Sequence, residues 1–395
     1  MRASGIFLLV LLSGCQRSGV SPSAKPADLQ GDWAKMRPIT PRGYVCGRAT
    51  TPITIDGNAD EPAWAAAPWT ADFVDIEDAA HAKPRFRTRA KMLWDDENLY
   101  IYAQLQEPHV WGTLTHKNDI IFQDNDFEIF IDPNGDNHNY YEYEMNALNT
   151  IWELTLPKPY RDDGQPQLGT NIPGLRSAVH VDGTLNDPHD TDRGWSVEIA
   201  IPWKGLARYA DGISCPPKDG QQWRMDFSRV EWLVDIIDGK YHKIPKESRA
   251  EDNWVWSPTG IIDMHRPERW GFVQFSTAGP GAAGFHPDPT LPARDALMDV
   301  YYRQRAFKQR FGRYASSLRD LHMSGDGSAG LEPPIEMKRQ GADTKDIDRA
   351  IEQGLVSPIE VKPSAAGYIA TAKVKSANGA TRVLHVRQDS KLWEE

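Results

Sequence analysis

Between Tyr44 and Ser276 the chain repeats one pattern: short runs of Val, Ile, Tyr, Phe and Trp, broken by clusters of Asp, Asn, Gly and Pro. The runs include Phe86–Trp94, Asn98–Gln106, Phe127–Asp132, Tyr140–Asn146, Trp195–Ile201, Trp223–Glu231 and Trp270–Phe275. β-Branched and aromatic side chains suit a pleated sheet, and the clusters between them supply turns. No strong amphipathic helix interrupts the series. Many strands without crossover helices specify a mainly β fold, an antiparallel β-sandwich. Alternation assigns the faces: Leu99, Ile101, Ala103 and Leu105 share one side of their strand, Tyr100, Tyr102, Gln104 and Gln106 the other. Trp195, Val197, Ile199 and Ile201 repeat the arrangement, and Asp95-Asp96-Glu97-Asn98 reads as a short hairpin loop.

Outside this region the texture changes. Arg2, the apolar run Ile6–Leu12 and Ser13-Gly14-Cys15 form a basic start, a short apolar core and a small-residue site before a cysteine. The run is too short to span a bilayer of about 30 Å. It looks like a bacterial lipoprotein signal, residues 1–14, with Cys15 as the lipidated first residue of an exported envelope protein. Residues 15–40 then read as a tether and 41–278 as the sandwich. The Gly- and Pro-rich stretch 279–292 reads as a linker, and 293–395 as a small α+β module. In that module Arg294–Leu321 has helical spacing, Ser324–Gly330 reads as a flexible loop, and Gly367–Lys375 with Thr381–Gln388 alternates as a hairpin about Ala377–Ala380.

The formal net charge is -10, with the acidic excess carried before residue 286. Such a surface repels phosphate backbones, which excludes nucleic acid as a partner. With Cys15 lipidated, Cys46 and Cys215 remain, and an oxidising compartment favours a disulfide between them. No CxxC, HExxH, GxSxG or GxxxxGK[ST] spacing occurs, so the chain offers no zinc, nucleophile or phosphate-loop motif and is not expected to be an enzyme.

Two places concentrate polar chemistry. Asp126–Asp132 and Tyr140–Asn146 flank the polar loop Pro133–Asn139. Paired as a hairpin, they set Glu128 opposite Glu144 and Asp126 opposite Asn146, with Phe127, Ile129 and Ile131 turned to the core. Opposed carboxylates repel, so a cation, an arginine such as Arg229, or the hydroxyls of a ligand must offset them. The loop itself places Asp132, Asn134 and Asp136 at alternate positions. That spacing suits calcium and equally suits an Asx-rich turn. Trp254 and Trp256 alternate about Val255 and share a face, buried or serving as a platform. His265 and Arg266 read as capping or ion-pairing residues.

Several blocks in order resemble the carbohydrate-binding family 9-like domains, a DOMON-related β-sandwich group. They are Ile53-Thr54-Ile55-Asp56-Gly57 with Asp60-Glu61-Pro62-Ala63-Trp64; Leu93–Ile101; Asn125–Asp132; Gly194–Trp203; and Trp270-Gly271. Members that bind sugar clamp a terminal ring between two aromatic side chains and hydrogen-bond its hydroxyls from a neighbouring strand. The resemblance places Glu128 at the family's acidic position. It implies one clamp ring at Trp254 or Trp256 and the other at Trp111 or Phe122. Glu144 stands where a basic sugar contact is expected, and Asn146 follows it. The implied function is non-catalytic binding of carbohydrate or glycan by a lipoprotein on the outer membrane or facing the periplasm. The alternative is a structural or partner-docking envelope protein whose sandwich has lost its sugar site.

Overall fold

The computed structural model describes residues 28–78, 81–244, 251–321, 357, 359–375 and 380–395. The signal segment with Cys15, the start of the tether, the loop Ser324–Gly330 and most of the turn Ala377–Ala380 lie outside the described residues. The helices are α1 (Leu29–Met36), α2 (Pro62–Ala66), α3 (Trp203–Leu206) and α4 (Leu291–Phe311). The first strands are β1 (Gly43–Arg48), β2 (Val74–Asp75), β3 (Thr88–Trp94), β4 (Asn98–Gln106), β5 (Asp126–Asp132), β6 (Tyr140–Asn146) and β7 (Ile151–Leu156). Then come β8 (Gln167–Leu168), β9 (Arg176–Asp182), β10 (Gly194–Pro202), β11 (Gln222–Glu231), β12 (Val234–Ile237), β13 (Lys240–Lys243), β14 (Asp252–Val255) and β15 (Gly271–Phe275). Four strands close the chain: β16 (Glu360–Ser364), β17 (Gly367–Lys375), β18 (Thr381–Arg387) and β19 (Leu392–Glu394).

The sandwich is one hydrogen-bonded path folded over on itself, in the order β8-β7-β6-β5-β11-β15-β1-β3-β4-β10-β9, with β14 and β2 attached beside β11. β1 makes the corner. Gly43–Cys46 pair with Phe272–Phe275 of β15, and Gly47 and Arg48 then pair with Leu93 and Trp94 of β3. Both pairings are parallel, whereas the other strand pairs on the path are antiparallel as the alternation requires.

The main core lies between the layers. Leu99, Ile101, Ala103 and Leu105 enter it from β4, and Trp195, Val197, Ile199 and Ile201 from β10, the faces read from the sequence. Phe127, Ile129 and Ile131 come from the opposite layer. Each large apolar side chain buried this way contributes roughly 1.5–3 kcal/mol. Aromatic edges lock one end, with Trp203 5.7 Å from Trp223 and Trp223 5.1 Å from Phe275. Tyr100 and Tyr102 are also buried, on the outside of the sheet, beneath Trp64 of α2.

Cys46 and Cys215 are free thiols, which corrects the expected disulfide. Cys46 is buried in the core, while the Cys215 thiol is turned to the Trp203 carbonyl at 3.3 Å. Burial pushes the Cys46 thiol pKa up, and that of Cys215 to about 11, so neither is a ready thiolate.

A second core joins α1 and α4 to the sheet β16-β17-β18-β19. The span read as a tether therefore contains a packed helix, with Leu29, Trp33 and Met36 buried and Asp28 capping its start through Gly31 N–H at 2.9 Å. Helix α4 stops at Phe311, short of the expected Leu321, because Gly312 takes a left-handed conformation and its N–H closes on the Lys308 carbonyl.

The stretch 279–292 lies along the sandwich: Gln274 donates to the Gly284 carbonyl and the His286 N–H donates back to Gln274. The joint between α4 and the sandwich is buried and ionic. Arg161 donates to Glu268 at 2.9 Å and to the His265 carbonyl at 3.0 Å. Tyr301 donates to Asp162 at 2.7 Å, Tyr302 donates to Glu268, and Arg269 pairs with Asp295 at 3.0 Å.

Candidate functional site

The hairpin β5–β6 forms in the register expected from its sequence: Asp126 opposite Asn146, Glu128 opposite Glu144 and Phe130 opposite Glu142. Cross-strand partners point to the same side of a sheet. Asp126, Glu128, Glu142 and Glu144 therefore gather on the face away from the main core. Trp152 of β7 lies opposite Glu144, and Ser228 of β11 opposite Glu128.

This outer face is not the open surface that alternation alone suggests. Asp126, Glu128, Glu142 and Glu144 are all buried. The turn Ile121–Gln123 covers one side, with the Phe122 N–H donating to Glu144 Oε2 at 3.1 Å. On the other side Glu142 lies 4.0 Å from His265, whose ring hydrogen-bonds the Tyr140 hydroxyl at 3.0 Å and meets Tyr160 edge-on at 4.5 Å.

Removal from water raises every carboxyl pKa in the cluster, and the neighbouring negative charges add to that. Glu128 is raised to about 7 and Glu142 to about 8, while Asp126 and Glu144 are held well above the usual carboxylate range. Burial pushes His265 the other way, to about 4, so its ring is neutral. Among the described residues, no Lys or Arg forms an ion pair with these four acids.

Rings with free surface rim the cluster. Phe122 is 38% exposed and Tyr160 43% exposed. Trp152 is half-buried, its ring 6.3 Å from Phe122. Trp232 donates its indole N–H to the Phe122 carbonyl at 2.9 Å and carries the Lys243 ammonium 3.9 Å from its ring.

Of the residues singled out from sequence, Phe122, Glu128 and Glu144 come together here. The others are placed elsewhere or already committed. Trp254 and Trp256 are 2% and 1% exposed and belong to the main core, which corrects the platform reading: their shared face is the inner one. Arg229 is corrected for the same reason. It alternates with Ser228 and so turns to the opposite side from Glu128, where it pairs with Glu107 at 2.7 Å and Glu231 at 2.8 Å. Asn146 staples loops, donating to Leu114 O and Asp124 and accepting from the Leu148 and Thr150 N–H groups. Trp111 is buried, lining a separate cleft of about 390 Å³ with Tyr241 and Lys243.

The loop Asp132-Asn134-Asp136 spends its oxygens internally. Asp132 accepts from the Gly135 and Asn137 N–H groups, Asn134 from Asp136, and Asp136 from His138, with Lys391 paired to Asp136 at 3.1 Å. It is an Asx-rich turn, the other reading of its spacing. Glu142, Trp152 and Tyr160 were not singled out as site residues. The alternation Tyr140-Glu142-Glu144 and the strand opposite it carried the signal for the first two.

Parts of this chain are similar to known proteins. Residues 55–217, within the β-sandwich, match the family described as carbohydrate family 9 binding domain-like. The exoglucanase XynX of Acetivibrio thermocellus is 29% identical over 119 residues, 30% of this chain and 9% of that protein. Endo-1,4-beta-xylanase A of Thermotoga neapolitana is 27% identical over 158 residues, 40% of this chain and 12% of that protein. The similarity thus spans a small part of each relative. Among solved structures, a family 9 carbohydrate-binding module from Caldicellulosiruptor kristjanssonii in complex with cellotriose is 15% identical, with a TM-score of 0.40, covering 62% of this chain and 100% of that one.

Proposed function

We propose that this chain binds carbohydrate without transforming it, at the aromatic-rimmed outer face of β5, β6 and β7, and that it does so as an exported protein anchored through a lipid on Cys15. One observation carries the reading: Phe122 and Tyr160 keep free ring surface on either side of the carboxyl cluster of Glu128, Glu142 and Glu144. A sugar presents C–H faces that stack on rings and hydroxyls that need acceptors, and this face offers both. Glu128 and Glu144 are direct cross-strand neighbours, too close to hold a glycosidic bond between them as an acid and base pair would.

The relatives are named for glucan and xylan, so cello- and xylo-oligosaccharides head the panel of ligands. Titration calorimetry should show weak, enthalpy-driven binding of at least one of them. Phe122→Ala and Tyr160→Ala should each remove that heat while leaving the circular dichroism unchanged. No heat across the panel would refute the sugar reading. Anchoring is tested separately: Cys15→Ser should release the full-length chain from the membrane fraction, and unchanged membrane retention would refute the lipid.

A further inference from the structure

The carboxyl cluster poses a problem that sugar hydroxyls alone do not solve. Asp126, Glu128 and Glu144 each offer an oxygen, and these oxygens all lie within 4.8 Å of one another. A calcium ion with bonds of about 2.4 Å holds its ligand oxygens up to about 4.8 Å apart, so the three fit around one such ion. Two buried oxygens at the same place lack a well-formed hydrogen bond. The Ser228 hydroxyl, fully buried and turned toward Glu128, forms no well-aligned hydrogen bond, and neither does Asp126 Oδ2, which also lies beside Glu128. Buried polar atoms left without partners are uncommon in native folds, and two converging on one spot mark an absent partner. Once ionised, these carboxylates are acceptors only, and the partner that suits them is a cation.

We propose that Asp126, Glu128 and Glu144 hold one hard divalent cation, Ca²⁺, on the outer face of the sheet, with Ser228 adding an oxygen to its shell. The donors are carboxylate and hydroxyl oxygens, and among the described residues no histidine or cysteine joins the group, which favours a hard cation over softer metals. The ion removes the repulsion between Glu128 and Glu144 and fixes the floor beneath Phe122, whose N–H already binds Glu144.

The test is thermal unfolding of the chelator-treated protein at pH 7.5, with Ca²⁺, Mg²⁺ or no ion, and with no sugar present, so that it stands or falls apart from sugar binding. Ca²⁺ in about hundredfold excess over its Kd should raise the midpoint by about 5 °C. Glu144→Gln and Asp126→Asn should each weaken Ca²⁺ binding by at least about tenfold in calorimetry. Asp96→Asn, an exposed acid on the far layer paired to Arg48, should not change it. If neither ion shifts the wild-type midpoint, the proposal is overturned, and the cluster is held by shared protons. If Ca²⁺ binds but both cluster variants retain full affinity, the ion sits elsewhere and the proposal is equally overturned. Should a variant fail to fold, the titration of wild type decides alone.

Discussion

Two buried polar regions adjoin in this molecule, linked through Tyr160, Arg161 and His265, and are built on opposite principles. At the joint with α4, charges of both signs interleave: Arg161 faces Glu268 and Asp162, Arg269 faces Asp295, and tyrosine hydroxyls fill the remaining valences. On the outer face of β5 and β6, four acids meet, and among the described residues no Lys or Arg forms an ion pair with them, while the histidine beside Glu142 is neutral. Both places are largely removed from water. The difference lies in who supplies the neutralising charge, the protein itself at the joint and something from solution at the cluster. A region that closes its own electrostatics is architecture, and one that leaves them open is a site.

The sharpest way to break the contrast is to remove a charge from each region and read the sign. Arg161→Met at the joint should destabilise the fold by about 3–5 kcal/mol in chemical denaturation, since Glu268 and Asp162 would be left buried and uncompensated. It should also loosen α4, so that protease cuts within 279–292 in the variant and spares the wild type. A loss below about 1 kcal/mol would mean the joint is not a single electrostatic unit. It would also restore the sequence-based picture of a free module after a linker.

Acidity should distinguish the regions next. A carboxyl whose pKa is higher in the fold than in the unfolded chain keeps its proton after the unfolded chain has lost it, so its contribution to stability falls as pH rises. Glu128 at about 7 and Glu142 at about 8 set the window between the ordinary carboxylate value and pH 8. His265, lowered to about 4, acts in the opposite sense below pH 6.5, which leaves pH 6.5–8 as the clean interval. There, in chelator, stability should drop by about 1.4 kcal/mol per pH unit for each proton the fold retains. Ca²⁺ should remove the cluster's part of the slope and leave the part due to Asp132, a carboxyl outside the cluster that burial raises to about 8. Glu144→Gln in chelator should be more stable than wild type at pH 8, the reverse of Arg161→Met. A flat profile in chelator would show that the acids are already neutralised from within.

Much of this architecture was legible because strand periodicity is local. The bounds of β4 and β6, the Glu128–Glu144 register and the inward face of β10 follow from alternation alone. The alternation even carried the position of Arg229, one residue after Ser228 and therefore on the core side. What sequence could not supply is what covers a face. The outer side of β5 and β6 is buried by Phe122, Tyr160 and His265, which come from three loops set by long-range packing. The same gap misassigned Trp254 and Trp256, whose shared face was right and whose side of the sheet was not. Cys46 and Cys215 were paired on compartment alone. Two thiols bordering one core need not face each other.

The smallest effect on stability should accompany the largest effect on function. Phe122 is 38% exposed and meets Trp152 at 6.3 Å, so truncating it removes little packing. Its backbone N–H, the group that binds Glu144, survives any substitution other than proline. Phe122→Ala should therefore cost less than about 1 kcal/mol in denaturation and leave the Ca²⁺ response intact, while removing a stacking surface worth about 0.5–1.5 kcal/mol beyond its area. For a weak sugar ligand that is enough to take binding below detection. Phe122→Trp keeps the ring and should restore it. If Phe122→Ala instead abolishes the Ca²⁺ response and lowers stability as much as Arg161→Met does, the ring is a lid on the acids. The contrast between a closed joint and an open site would then fail at the residue where it is most exposed to test.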